Sequence, residues 1–367
     1  MLSSLRKIRS VMARHLQTGD VVRTPAGTTY TLGRVAGSGH FGVVFVAKAD
    51  KDGAAVAIKV PKASKDAQEL MEEEVGIMRA VDAGHPACPL VRLVDVVLPR
   101  GVVCQHMDGG DMEGVVLPWP ALRPLYAMAC RGVAWLHARG YIHCDIKPEN
   151  MLLNAAKTEL RVCDLGNAQE ARLKNQPPRS TFYYRAPESL LELPPYGPGV
   201  DVWALACCMY ETFTGEILFT VDDLTEEDED APSRSSSSSE CESMSGTSAD
   251  EDDEVQWVSS SSSESDEEET RQDTLAHLGQ LQAVCGPLPR AWRKAKRRFF
   301  NARGELFPFD PPPPFGSLES KLEHDCSVEA APHAPAVLAL LRACLRYKAR
   351  PGTAALEAML VSSAPPL

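Results

Sequence analysis

The segment HCDIKPEN, residues 143–150, places an acid, a lysine and an amide within six residues, from Asp145 to Asn150. The Asp145 carboxylate can accept or orient a hydroxyl proton, and the Lys147 ammonium can neutralise charge on a phosphoryl group. The amide oxygen of Asn150 is a suitable ligand for Mg²⁺. Taken alone, these residues are equally typical of a polar turn. The segment therefore predicts phosphoryl transfer only if the rest of the chain supplies a nucleotide site.

A second candidate metal ligand follows in VCDLGNA. Asp164 lies fourteen residues after Asn150, directly after a short apolar stretch. An asparagine and an aspartate so placed can hold Mg²⁺ against phosphate oxygens. On its own, Asp164 would be a turn or capping residue.

Three glycines in GSGHFGVV, namely Gly37, Gly39 and Gly42, lie between two stretches with strand character. Glycines let the backbone approach phosphate oxygens and offer N–H donors without obstruction from a side chain. A lone GxGxxG is also compatible with a tight hairpin. A dinucleotide-binding motif should open a helix, whereas VVFV after Gly42 favours a strand. That context is typical of a lid over a nucleotide.

Lys59 ends the apolar stretch VAIK, seventeen residues after Gly42. A lysine at the end of a strand is normally an exposed charge. A buried lysine needs a countercharge and hydrogen bonds in order to stay ionised. Lys59 can therefore be a functional, buried residue only if an acidic side chain pairs with it.

A helix predicted over residues 66–81 offers that partner. Its apolar stripe passes through Leu70, Val75 and Met78, and Glu74 lies next to the stripe. We therefore expect Glu74 to pair with Lys59. Two neighbouring acids are rivals for the same role: Glu72 and Glu73.

In the order glycine loop, lysine, DxKxxN and DLG, these motifs resemble those of the eukaryotic protein kinase family. The resemblance extends to RAPE at 185–188 and DVW at 201–203, and it spans roughly residues 30–360 apart from one insertion. It implies a bilobal α+β fold, with a small β-rich N-lobe that has one main helix and a larger, mostly helical C-lobe. It also implies ATP and Mg²⁺ as cofactors.

The resemblance assigns a role to each motif residue. The catalytic pair is Asp145, as base, and Lys147, on the γ-phosphate. The implied metal ligands are Asn150 and Asp164. The implied ATP-binding residues are Gly37, Gly39, Gly42, Val44, Lys59, Glu74, Gln105 and Met107. The residues implied to support the activation segment and the catalytic loop are Thr181, Glu188, Asp201 and Arg350.

Among the supporting residues, the resemblance pairs Glu188 with Arg350 in a structural salt bridge and makes Asp201 a brace for the catalytic loop. It makes His143 a core residue rather than an acid or base. It also identifies VVCQHM as the hinge between the lobes, with Cys104 as the gatekeeper.

The lysine in DIKPEN and Thr181 resemble serine/threonine kinases rather than tyrosine kinases. DLGNA, HCDIKPEN, TFYYRAPE and LFPF are most similar to the SR-protein kinases, and regulated relatives with YYRAPE are the second choice. This implies protein substrates, which we expect to be Arg/Ser-rich or basic. The sequence departs from the SR-protein kinase pattern in two places. The long insertion follows the DVW helix instead of preceding DLG, and Gln280 replaces an expected docking acid, whereas Asp273 matches one.

Cys144 stands where many kinases have an arginine that binds a phosphate on the activation loop. A cysteine cannot make that charged, bidentate contact. The segment from Asp164 to Glu188 is also short. We hypothesise that activity needs no activation-loop phosphorylation. A role for Cys144 as a small buried filler is compatible with this hypothesis.

The net charge of −12 is concentrated in one segment. Residues 221–270 contain nineteen acidic residues and one basic residue, so the remainder carries a net charge of +6. Few apolar residues in this segment predict a disordered insertion. It is either a solubilising loop or a phosphorylation platform, because its serines lie beside acids.

We expect this domain organisation: 1–25 N-terminal extension, 26–107 N-lobe and hinge, 108–220 first part of the C-lobe, 221–270 insertion, 271–360 second part of the C-lobe and 361–367 tail.

Several partner classes are disfavoured. No apolar run of about eighteen residues predicts a membrane span. Eleven scattered cysteines without a CxxC pair favour a reduced intracellular protein, in the cytoplasm, the nucleus or both. The basic N-terminus resembles an organelle transit peptide, although a solvated extension is our preferred interpretation. The basic run RKAKRR at 293–298 has several possible interpretations. It is an exposed helix face, which we favour, a nuclear localisation signal, a nucleic-acid contact or a binding partner of the acidic insertion. We expect a monomer without direct nucleic-acid binding.

Two other function classes compete with an active kinase. A catalytically inactive kinase fold would serve as a scaffold, with the acidic insertion as its binding arm. Such scaffolds usually lack part of the set Lys59, Asp145, Asn150 and Asp164, and this chain has all four. A small-molecule phosphotransferase of related fold would be expected to lack RAPE and DVW.

Overall fold

A computed structural model describes residues 16–38, 42–62, 64–97, 101–220, 264–309 and 315–362, with the backbone alone for 264–270. Its N-terminal part is a six-stranded antiparallel sheet in the order β1-β2-β3-β4-β6-β5. These strands are β1 (Val21–Arg23), β2 (Thr29–Ser38), β3 (Gly42–Ala49), β4 (Ala55–Pro61), β5 (Leu93–Val97) and β6 (Gly101–Gln105). The predicted β-rich N-lobe is thus confirmed.

Alternation along the strands separates the two faces of this sheet. In β4, Val56, Ile58 and Val60 are buried in a small apolar cluster together with Phe45 of β3. Lys59 lies between them in sequence and therefore points to the opposite face. That face is where the candidate site is built.

The main helix of this lobe is α1 (Lys65–Ala80), which begins after the N-cap Ser64. The Ser64 hydroxyl accepts a hydrogen bond from the Ala67 N–H, so a free N–H of the first turn is satisfied. The buried stripe of α1 runs through Met71, Glu74, Val75 and Met78. Leu70, which the sequence pattern placed on the stripe, is only partly buried.

The C-terminal part is mostly helical. Its helices are α2 (Trp119–Ala138), α3 (Pro187–Leu190), α4 (Gly199–Thr214), α5 (Glu264–Cys285), α6 (Arg290–Ala295), α7 (Leu318–Asp325), α8 (Ala334–Cys344) and α9 (Thr353–Val361). Four short strands support the loops between α2 and α3: β7 (Tyr141–Ile142), β8 (Met151–Leu153), β9 (Leu160–Val162) and β10 (Gln169–Glu170). These two parts give the α+β class predicted for the chain.

The centre of the C-terminal part is helix α4, in which Trp203 and Tyr210 are fully buried. The helix ends at Gly215, whose φ of 92° is the left-handed conformation that glycine adopts without strain. Among the helices that the structure describes, none is long and apolar enough to cross a bilayer.

Two predicted boundaries are wrong. Strand β1 pairs Val21 with Thr31, so the sheet begins inside the segment assigned to an N-terminal extension. A three-residue strand is too short to show a clear alternation, which explains the error. Helix α5 begins at Glu264, so the last seven residues of the segment 221–270 are helical rather than disordered. Glutamate has a high helix propensity, and acids favour helix N-termini. Residues 221–263 lie outside the described residues.

Candidate active site

Lys59 forms two ion pairs on the face of the sheet opposite to Val56, Ile58 and Val60. Its Nζ lies 2.9 Å from Oε2 of Glu74 and 2.8 Å from Oδ1 of Asp164. Glu74 is buried on α1, whereas Glu72 and Glu73 are exposed. The structure therefore places Glu74, and not its neighbours, at the lysine.

The charges of this cluster depend on one another. Burial alone would lower the pKa of Lys59, but Glu74 and Asp164 raise it well above its ordinary value, so the amine stays protonated. Burial raises the pKa of Glu74 in spite of the lysine. Lys59 lowers the pKa of Asp164 against the effect of burial. A cation between two carboxylates is a site prepared for anionic phosphate oxygens and a divalent metal.

The Asp145 carboxylate is held by two residues of the activation segment. Its Oδ1 accepts hydrogen bonds from the Thr181 N–H at 3.0 Å and from the Thr181 hydroxyl at 2.8 Å. Its Oδ2 accepts one from Nδ2 of Asn167 at 3.2 Å. These bonds fix the direction of the carboxylate beside a position where a substrate hydroxyl can enter. Asn167 was missed in the sequence, although it lies in the DLGNA motif.

Asn150 is buried beside Asp145 and ends a short 3₁₀ turn, Pro148–Asn150. Its Nδ2 donates to the Asp145 carbonyl oxygen at 2.8 Å. The side-chain oxygen of Asn150 is therefore the atom left for a cation, together with the carboxylate of Asp164. This oxygen donor set fits Mg²⁺, which usually takes only one or two side chains plus phosphates and water.

Lys147 and Val44 flank this centre. Lys147 Nζ lies 3.5 Å from Oε1 of Glu149, and both side chains are partly exposed. Val44 is paired directly with Lys59 across β3 and β4, which puts the two side chains on the same face of the sheet. Val44 therefore lies on the side of the sheet that faces Glu74 and Asp164, whereas Lys147 lies two residues after Asp145 in the chain.

The glycines differ from one another in what they permit. A Cβ on Gly42 would lie 2.6 Å from the carbonyl oxygen of Val60, so this glycine is required for the close approach of β3 and β4. A Cβ on Gly37 would meet nothing within 4 Å. Gly39 lies outside the described residues. A role over ATP stays a prediction for all three glycines, and Gly42 has a packing role in addition.

The predicted hinge residues lie at the end of β6. Cys104 is paired with Ala57, and burial raises the pKa of its thiol to about 12. The Gln105 N–H donates to the Arg92 carbonyl at 2.9 Å, and its side chain lies 3.6 Å from Sδ of Met107. The N–H of Gln105 is thus already hydrogen-bonded within the protein. Met107 is buried, and contact of either residue with ATP stays a prediction.

Asp201 on α4 braces the segment that carries Asp145. Its two carboxylate oxygens accept hydrogen bonds from the backbone N–H groups of His143 and Cys144, both at 2.9 Å. The His137 ring is 2.8 Å from the same carboxylate. Burial would raise the pKa of Asp201, but His137 and the backbone donors hold it below its ordinary value. The predicted brace is therefore present.

Cys144 is a buried residue with a φ of 69°, a conformation that costs a non-glycine residue free energy. Its N–H bond to Asp201 holds this conformation. Burial raises the pKa of the thiol well above its ordinary value, so the sulfur is not a thiolate near neutral pH. His143 is also fully buried, and its Nε2 lies 2.9 Å from the carbonyl oxygen of Cys163.

The predicted salt bridge between Glu188 and Arg350 joins two distant segments of the C-terminal part. Both guanidinium nitrogens of Arg350 bind Glu188, and Nη2 lies 2.8 Å from Oε2. The same guanidinium donates to the carbonyl of Gly199 at 3.0 Å and lies 4.9 Å from the Trp203 ring centroid. The end of the activation segment is thereby attached to α4.

An open cleft of about 520 Å³ adjoins the carboxylate of Asp145. It is lined by Asp145, Asn167, Thr181 and Arg185, among others. The guanidinium of Arg185 donates twice to the Ser180 carbonyl, which shapes the wall of the cleft. The cleft therefore leads to the carboxylate of Asp145.

Comparison with known proteins agrees with this geometry. The model of the protein kinase domain family matches residues 30–275, which is two thirds of the chain. The chain is 31% identical over 223 residues to a probable dual specificity protein kinase YAK1 homolog of Encephalitozoon cuniculi, which covers 58% of the chain and 54% of that protein.

It is also 30% identical over 210 residues to the serine/threonine-protein kinase GD17699 of Drosophila simulans, which covers 54% of the chain and 28% of that protein. The chain therefore spans about half, or less, of the length of these relatives. Because the family model covers most of the chain and the motif residues meet at one site, the chain belongs to the protein kinase family.

Proposed function

We propose that this protein is an ATP-dependent serine/threonine protein kinase that transfers the γ-phosphoryl group to hydroxyl groups of proteins. The observation that carries the proposal is that two arrangements occur together. Lys59 lies between Glu74 and Asp164, and the Asp145 carboxylate is oriented beside an open cleft. A scaffold without activity would not need both.

In this proposal each residue has one task. Lys59 binds the α- and β-phosphates and is held in place by Glu74. Asn150 and Asp164 would hold Mg²⁺, which would neutralise charge on the phosphates. Asp145 accepts the hydroxyl proton of the substrate, and Lys147 stabilises negative charge on the transferred group.

The test is transfer of labelled phosphate from ATP to Arg-Ser peptides, acidic peptides and a basic protein. We expect transfer to at least one of them, and none by the variant Asp145→Asn. If the parent protein labels no substrate, the proposed activity is wrong. Equal labelling by the variant would show that a contaminating kinase is responsible.

For the substrate class we propose Arg/Ser-rich or basic proteins, in line with the resemblance to SR-protein kinases. That resemblance, carried by DLGNA, HCDIKPEN and TFYYRAPE, is what supports the proposal.

We further propose that the kinase is active without phosphorylation of its activation segment. Cys144 is a buried thiol and offers no cation to a phosphate on that segment. Protein made in bacteria and treated with phosphatase should therefore keep its transfer rate within about twofold of untreated protein, since no phosphate-dependent contact orders the segment. Loss of activity that returns after phosphorylation of the segment would contradict this proposal.

We also propose that the protein acts as a monomer in the cytoplasm, the nucleus or both. Free cysteines among the described residues support an intracellular location. Microscopy of the tagged chain and its sedimentation in solution test these two points.

A further inference from the structure

A strongly basic surface lies on and after α6, and the catalytic chemistry does not use it. Residues 290–309 contain seven basic residues and one acid, Glu305. Two of the seven have structural tasks. Arg293 donates to the carbonyls of Leu288 and Gly304 at 2.9 and 2.7 Å, and Lys296 lies 3.7 Å from Glu192.

The other five basic residues form what we call the basic surface: Arg290, Lys294, Arg297, Arg298 and Arg303. All five are exposed. Within the described part of the chain, none of them has a carboxylate within ion-pair distance. Five cations close in sequence repel one another unless anions approach them. This surface therefore favours an anionic partner.

The chain carries a matching anion in residues 221–263. This stretch of 43 residues contains fourteen acids and a single basic residue, Arg234. It also contains fourteen serines, three of which are directly next to an acid: Ser239, Ser243 and Ser263. Each phosphorylation would add about 1.5 to 2 negative charges at neutral pH.

Both ends of that stretch are attached to α5, the helix that contacts Arg298 of the basic surface. Its C-terminal end joins α5 at Glu264, and seven residues later Nε of Arg271 lies 3.4 Å from the carbonyl oxygen of Arg298. Seven helical residues span about 10 Å. At its N-terminal end, the carbonyl of Thr220 accepts a hydrogen bond from Gln280 of the same helix.

This attachment makes contact between the two charged parts an intramolecular event. A tethered segment has an effective concentration on the order of millimolar near its anchor. Single exposed ion pairs are weak, but several opposite charges within roughly one Debye length act together. We propose that the basic surface is the docking site for the chain's own acidic segment 221–263, and that phosphorylation of its serines strengthens the docking.

Trypsin tests the proposal on the full-length chain, because it cleaves after exposed lysine and arginine. The experiment compares the parent with a variant in which the fourteen acids of 221–263 are replaced by Asn or Gln. Mass spectrometry measures the cleavage rates after Lys294, Arg297 and Arg298. In low salt we expect cleavage about tenfold slower in the parent, and the difference should vanish at high ionic strength. Prior phosphorylation of the parent should slow cleavage further.

Two controls isolate the charge. A second variant replaces the fourteen serines by alanine, which keeps the number of substitutions and all the acids, and it should match the unphosphorylated parent. Cleavage after Lys157, an exposed residue elsewhere, should be the same in every protein. Equal cleavage of parent and acid-free variant in low salt would overturn the proposal, and so would accelerated cleavage of the alanine variant.

Discussion

Replacing Asp145 with asparagine should lower the rate of phosphoryl transfer by about three orders of magnitude or more, with little change in stability. Loss of a positioned general base typically costs on the order of 10²–10⁴-fold. Asparagine has nearly the same shape, so its oxygen can still accept the Thr181 hydrogen bonds that are 2.8 and 3.0 Å long in the parent. It cannot accept a proton from the substrate.

The measurement is kcat with saturating ATP and peptide, together with the thermal midpoint and the affinity for ATP and Mg²⁺. We expect kcat to fall while the midpoint and the nucleotide affinity stay close to those of the parent. A parallel fall in nucleotide affinity would mean that Asp145 acts through the nucleotide site instead. A kcat that falls less than about tenfold would remove Asp145 from the role of base.

Replacing Asp201 with alanine should destabilise the protein more than any other substitution proposed for it. The Asp201 side chain is 1% exposed and accepts from two backbone N–H groups and the His137 ring. Its removal leaves these groups buried and unsatisfied, and the loss of one member of a buried charged network costs about 3–5 kcal/mol. We expect this decrease in the free energy of unfolding, measured with denaturant.

Two comparisons make the test specific. Asp201→Asn keeps one acceptor oxygen and should lose less stability than Asp201→Ala. Since the folded state lowers the pKa of Asp201, its contribution is present above the unfolded value near pH 4 and is lost as the pH falls further. The gap between parent and alanine variant should therefore narrow in acid. A constant gap down to about pH 2 would contradict the assigned network.

The site was largely predictable because its chemistry depends on short motifs with fixed spacing. Glu74 was identified from its position beside an apolar stripe, even though the stripe itself passes through Met71 rather than Leu70. The pairs Lys59–Glu74 and Glu188–Arg350 are both present in the structure. These contacts join distant segments, and family resemblance or helix periodicity indicated each of them.

Other features had no readable signal in the sequence. Strand β1 has only three residues, and its membership of the sheet depends on pairing with β2. The contact of Asn167 with Asp145 arises from the path of the activation segment, which local patterns do not encode. The packing role of Gly42 appears only once the distance to the Val60 carbonyl is known.

The bond between Glu188 and Arg350 also bears on how the chain folds as it is made. Helix α2 contacts the last described helix as well, because Arg131 binds Glu357 at 2.7 Å. Roughly 200 residues separate these partners, and at about 5–20 residues per second a ribosome needs roughly 10–40 s to bridge the interval. During that time α2 is outside the ribosome without its final neighbour. The face of α2 that packs against α9 therefore stays uncovered until this late part of the chain has been made.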